Sequence, residues 1–214
     1  VWQKGWWDGY QELEQPFVDF VWLESRATEI RSFDPSMITG LLQTREYAKA
    51  VVTAAEWEAE PTQIARWVQV RMDRQAVLHR EAPPRLRAII DESVLRREIG
   101  DPGVMSGQLA HLLAIAKLPH VDLRVLPVSI GAHASPSGGF RVFTIAEPDL
   151  EVGYAETVGG AVYVEPPASE RFVRVYDRLL NGALGPAESA KLICAIGEDY
   201  DDPSGPGPWP GRSG

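Results

Sequence analysis

Apolar residues recur along this chain with a spacing that changes from helical to extended and back again. Over residues 16–30, Phe17, Phe20, Val21, Leu23, Ala27 and Ile30 form a broad apolar face at helical spacing, and Pro16 suits a first helical position. Pro35 breaks the run, because the residue before a proline is pushed out of helical geometry. Thr44 then caps a predicted helix over residues 45–55. Pro61 and Thr62 open a long amphipathic helix with the stripe Ile64, Trp67, Val68, Met72 and Leu78, ended by Pro83 and Pro84. Residues 85–90 read as a strand, and a short helix leads from Asp91 toward Gly100. Asp101 caps a further helix with Pro102 at its first position, burying Met105, Leu109, Leu112, Leu113 and Ala116.

Extended patterns dominate the next stretch. Residues 121–127 alternate with period two, and further strands are predicted over 140–145, 150–156 and 161–164. The last two are joined by a tight turn at 157–160, where glycine supplies positive φ. Phe172, Val175, Tyr176 and Leu179 return to helical spacing, and a last helix is predicted over 186–196. This order predicts an α+β fold: a mainly antiparallel sheet in the middle and C-terminal half, packed with N-terminal and C-terminal helices. The organisation expected is a Trp-rich connector over 1–15, a single α+β domain over 16–200 and a disordered Pro/Gly tail over 201–214.

Charge narrows the range of functions. The chain has 214 residues and a formal net charge of -9, so it is a poor candidate for binding nucleic acid through its surface. A basic run interrupts the acidic background: Arg66, Arg71, Arg74, Arg80, Arg85, Arg87, Arg96 and Arg97. Interleaved with Glu81, Asp91, Glu92 and Glu98, it reads as solvated helix faces and intramolecular salt bridges. No apolar run is long enough to cross a membrane, and the first residues lack the pattern of a signal peptide. With no initiator Met, the chain reads as a domain cut from a longer protein. The single cysteine, Cys194, excludes an internal disulfide, suits a reducing cytoplasm and reads as a small buried hydrophobe.

Motifs for chemistry are sparse. His79, His111, His120 and His133 form no metal signature, and no phosphate loop, dinucleotide fingerprint or nucleophile elbow occurs, so neither a metal nor a cofactor is expected. Two constellations stand out. One is the loop of small residues over 131–139, which contains His133 and leads into Phe140. The other is Tyr154 and Glu156, which period two places on one face with Val152, where a carboxylate could serve as acid, base or ligand anchor. Trp2, Trp6, Trp7 and Tyr10 could form an interface, including one between two copies, or dock the connector onto its own domain.

These residues resemble a family. Residues 23–33 and the stretch Ile38-Thr39-Gly40-Leu41-Leu42-Gln43-Thr44-Arg45-Glu46-Tyr47-Ala48 resemble the "PGLLQT" hallmark of a domain of unknown function that follows an Xre-type helix-turn-helix in actinomycete regulators. Arg71-Met72-Asp73-Arg74-Gln75, Asp91-Glu92 with Leu95-Arg96-Arg97, Gln108-Leu109, Val125-Leu126-Pro127, Gly139-Phe140 and Tyr154 with Glu156 continue the resemblance in order. Thr39 departs from it, standing where the family usually has proline. The resemblance implies a cytoplasmic regulatory domain that binds a small ligand or a small acidic protein, with its DNA-reading domain absent from this chain. Arg31, Gln43, His133, Phe140, Tyr154 and Glu156 are the candidate binding residues. Two alternatives remain at this point. One is a dimerisation platform. The other is an ADP-ribosyltransferase-like enzyme or degenerate NAD-binding domain, with Arg31 and Glu156 meeting in one cleft, although an enzyme is the less favoured reading.

Overall fold

The computed structural model describes residues 15–202; the Trp-rich segment with Trp2, Trp6, Trp7 and Tyr10, and the tail beyond residue 202, lie outside the described residues. Helix α1 (Gln15–Arg26) stops short of the expected boundary, and the chain runs directly into strand β1 (Ala27–Asp34). The helical reading of residues 27–30 is thereby corrected. β1 is buried on both faces, with Ile30 packed on one side and Phe33 on the other, so it lacks the alternation that marks a half-exposed strand. Arg80 secures the junction: its guanidinium donates to the carbonyls of Ser25 and Ala27, where helical bonding ends.

β1 is an inner strand of a six-stranded sheet in the order β3-β2-β1-β4-β5-β6. The partners are β2 (Arg85–Asp91), β3 (Val121–Leu126), β4 (Phe140–Ile145), β5 (Leu150–Thr157) and β6 (Gly160–Val164). β1, β2 and β3 pair in parallel, whereas β4, β5 and β6 are antiparallel to their neighbours. The fold is therefore α+β with a mixed, mostly antiparallel sheet. The parallel portion follows from the crossovers. Helices α2 (Arg45–Ala55) and α3 (Pro61–Arg74) lie between β1 and β2 in sequence, and α4 (Glu92–Arg96) and α5 (Pro102–Ile115) between β2 and β3. Thr44 and Asp101 cap α2 and α5 as expected, accepting from Tyr47 N and Val104 N.

The two faces of the sheet carry different cores. On the first, Ile30, Leu86, Ala88, Leu123, Phe143, Val152 and Tyr154 pack with α1, α2, α5 and α7 (Pro186–Asp201). On the second, Phe33, Ile89, Leu126, Phe140 and Val142 pack under α6 (Glu170–Gly182). Ala48 and Val52 of α2 meet Val68 of α3 in a smaller cluster. α7 continues past the expected end near residue 196, and its pitch buries Ile193 and Ile196 while turning Cys194 to solvent, which corrects the buried reading of that thiol. Among the described residues, no helix is long and apolar enough to cross a membrane.

Candidate functional site

The motif Gly40-Leu41-Leu42-Gln43-Thr44 forms a 3-10 turn followed by an extended residue and the cap of α2. Leu41 and Leu42 enter the core, and side chains from other elements take the turn's backbone groups. Gln75 Nε2 donates to the carbonyls of Gly40 and Gln43 at 2.9 and 2.7 Å. Gln108 donates to Leu42 O and accepts from Thr44 N, both at 2.7 Å. Gln43 is itself buried, and its Nε2 donates to Ile38 O at 2.6 Å. That bond fixes the amide so that Oε1 is the group left to accept from Arg71 Nη1, at 3.1 Å.

Around this turn three guanidiniums converge. Arg74 makes a bidentate pair with Glu24 of α1, both bonds at 2.9 Å, with each side chain under a tenth exposed. Arg141 on β4 donates to Asp34 at 3.0 Å and to Thr39 Oγ1 at 3.3 Å. Both cations lie over the ring of Phe20, at 4.7 Å for Arg74 and 5.5 Å for Arg141. Arg71 differs. Among the described residues it makes no ion pair, and Gln43 is its one hydrogen-bond acceptor. It is half-buried by exposed area yet crowded by protein on most sides. Its pKa is lowered to about 10, first by desolvation and then by the Arg74 charge, against a smaller opposing pull from Glu156.

These side chains enclose a pocket of about 100 Å³, with Phe17, Phe20, Met37 and Ile38 as apolar walls and Arg71, Arg74, Arg141, Gln43, Tyr154 and Glu156 as polar ones. Burial, together with the Glu156 charge, pushes the Tyr154 phenol up to about 12, so it is a neutral hydrogen-bonding group at physiological pH. Burial raises the Asp34 carboxyl while the Arg141 charge pulls it back, and Asp34 Oδ2 is buried with no partner. Glu156 is exposed, in contrast to the apolar surroundings its strand pattern suggests, because β5 reaches solvent at that end.

The structure divides the candidate residues into two groups. Gln43, Tyr154 and Glu156 share the pocket on the first face of the sheet. Arg31 faces the other way, in a cross-strand ladder with Glu29 at 3.0 Å and Glu151 at 2.7 Å, continued by Arg87. Period two separates them: Glu151 and Ala155 share the α6 face of β5, while Val152 and Tyr154 face α1. Arg31 and Glu156 thus occupy opposite faces of the sheet and share no cleft, which removes the pairing that the ADP-ribosyltransferase-like alternative needs. His133 and Phe140 also lie on the α6 side. His133 meets the ring of Phe33 at 5.2 Å, and its Nδ1 accepts from Ser135 N at 3.2 Å. It lines a cavity of about 490 Å³ with Ile130, Arg178 and Asn181, while Phe140 lines a neighbouring one of about 460 Å³. Among the described residues, no three His, Cys, Asp or Glu side chains gather as a metal-binding set.

Sequence reading missed Arg71, Arg74 and Arg141 as site residues. The basic run pairs partly as expected, with Arg96 on Glu92 at 2.8 Å, but Arg74 turns inward instead of to solvent. A signal was present. Arg71 falls on the apolar stripe of α3, four residues after Trp67 and three after Val68.

No curated protein and no solved structure matches the chain. Residues 17–194 do match one family, described as "Domain of unknown function (DUF5753)". That span runs from the first apolar wall of the pocket, Phe17, through every residue that lines it and on into α7, and the chain belongs to this family.

Proposed function

We propose that this chain is the effector-binding domain of a helix-turn-helix transcriptional regulator, and that a small effector occupies the arginine pocket. One observation carries the reading: Arg71 is a desolvated cation that makes no ion pair among the described residues, held by an oriented amide at the wall of a small pocket and drawn only at longer range by the exposed Glu156 carboxylate. Keeping such a charge costs free energy that folding alone does not return, so a ligand that supplies the missing partner is the natural recipient. The resemblance of residues 38–48 to the domain that follows an Xre-type helix-turn-helix supports the regulatory context, as does an acidic surface that leaves DNA binding to another domain. Effector binding matters only if it distinguishes two states of the intact regulator.

The test begins with a native mass spectrum of the gently purified chain. A small molecule that co-purifies with the chain and is lost in Arg71→Met supports the reading. The operator affinity of the full-length regulator is then measured with and without that molecule, and an unchanged affinity removes the regulatory role.

A further inference from the structure

Resting on that reading of the pocket, we infer that the effector carries a single carboxylate on a compact apolar body, and that the carboxylate docks between Arg71 and Arg141. Charge selects the group. Arg74 is ion-paired with Glu24 and Arg141 with Asp34, whereas Arg71 has no ion-pair partner among the described residues; the exposed Glu156 carboxylate offsets its charge only through a weaker attraction at longer range. A single bound anion gives Arg71 the direct ion pair that the other two guanidiniums already have. A doubly charged phosphate ester would overshoot and would also meet Glu156 at the rim.

Geometry agrees. Arg71 spends one nitrogen on Gln43, and Arg141 spends only Nη2, on Asp34 and Thr39. Both guanidiniums line the cavity and keep further N–H groups beyond those bonds. A planar carboxylate suits such forks, accepting two parallel bonds from a guanidinium. Phe17, Ile38 and Met37 then offer the apolar surface on which a short hydrocarbon or small ring would lie, and Met37 is partly exposed at the opening. A pocket of about 100 Å³ admits a body of a few carbons and excludes a nucleotide. Glu156 would oppose any second negative charge, acting as a specificity element at the rim.

The experiment is calorimetric and NMR titration of the chain, refolded from denaturant to strip co-purified molecules, with butyrate, benzoate, butyramide, butylamine and inorganic phosphate. Butyrate or benzoate should bind and shift the resonances of Gln43 and Tyr154, while butyramide and butylamine should not. Arg71→Met, verified as folded by its near-ultraviolet dichroism, should weaken carboxylate binding on the order of ten- to a hundredfold, the value of one charge-assisted contact. Glu156→Gln should strengthen it about two- to fivefold by removing a screened like charge. Equal binding of butyrate and butyramide would overturn the inference, as would phosphate binding without carboxylate binding or an Arg71→Met affinity equal to that of the parent. If the native spectrum shows a co-purified molecule that lacks a carboxylate, this inference fails while the effector reading stands. If no molecule co-purifies and no probe binds, both fail.

Discussion

A residue kept for binding at the expense of folding should reveal itself when it is removed, and Arg71 offers that test. Its pKa falls from the ordinary guanidinium value to about 10, with desolvation as the first cause. At about 1.4 kcal/mol per pH unit, a fall of this size means that the folded chain holds the charge at a cost of about 3 kcal/mol. Residual contact with water discounts this to about 2 kcal/mol. Arg71→Met removes the charge and keeps most of the side-chain volume, but it strands Gln43 Oε1 and loses about 1 kcal/mol with that hydrogen bond. The balance is a stabilisation of about 1 kcal/mol, which in a domain of this size raises Tm by about 2–4 °C. The assay is calorimetric melting of ligand-stripped protein. The sign should not depend on pH between about 6 and 8. The cost is complete wherever both folded and unfolded arginine are protonated, and it fades only as pH rises above the depressed folded value. Arg71→Lys keeps a charge and should give no such gain. A fall of more than about 2 °C for Arg71→Met would show that the charge already has its counter-charge, and the pocket argument would then collapse.

Other perturbations separate the pocket's structural supports from its binding groups. Glu24→Ala strands the buried Arg74 cation and should cost about 3–5 kcal/mol in denaturant unfolding, and a joint Glu24→Met, Arg74→Met replacement should recover most of that loss. Gly139→Ala brings a Cβ to 2.8 Å from Phe33 O, a backbone atom of the central strand, and should destabilise by about 1–3 kcal/mol, measured by the same denaturant titration. Gly182→Ala meets only the flexible end of Ile130 and should cost less. The phenols of Tyr47, Tyr154, Tyr163, Tyr176 and Tyr200 are all raised, with burial as the first cause. A raised folded value means stability that is present below the unfolded phenol value near pH 10 and lost as pH climbs beyond it. Absorbance at 295 nm should therefore show at most one of the six phenols ionised at pH 10.5, the rest appearing together as the chain unfolds. Early, graded ionisation of several phenols would contradict the burial assigned to them.

Where the sequence could be read and where it could not follows from how each element is bounded. α2 and α5 were legible because their caps are local: Thr44 and Asp101 each accept from an amide three residues on. The β5–β6 hairpin was legible because its turn and its alternation are local too. β1 was not. Its residues carry a helix-like apolar spacing, and what makes them extended lies far away in sequence: the ladders to β2 and β4 and the guanidinium of Arg80 at the junction. The same distinction divides the site. Tyr154 and Glu156 could be placed on a common face because period two is a property of the strand alone. Whether Arg31 shared that face depended on the register of β1, which the helical reading could not supply, and the parity of that register sets Arg31 opposite. Arg71 and Arg74 fail in the other direction. Charge run by charge run, arginine is a surface residue, and only the positions of Glu24, Phe20 and Gln43, contributed by α1 and the turn before α2, make an inward guanidinium sustainable. That is also the functional point. The ion-pair partners of Arg74 and Arg141 are built into the fold, whereas among the described residues Arg71 has only the longer-range pull of the exposed Glu156, and a guanidinium held that way is arranged for a closer partner from outside the domain.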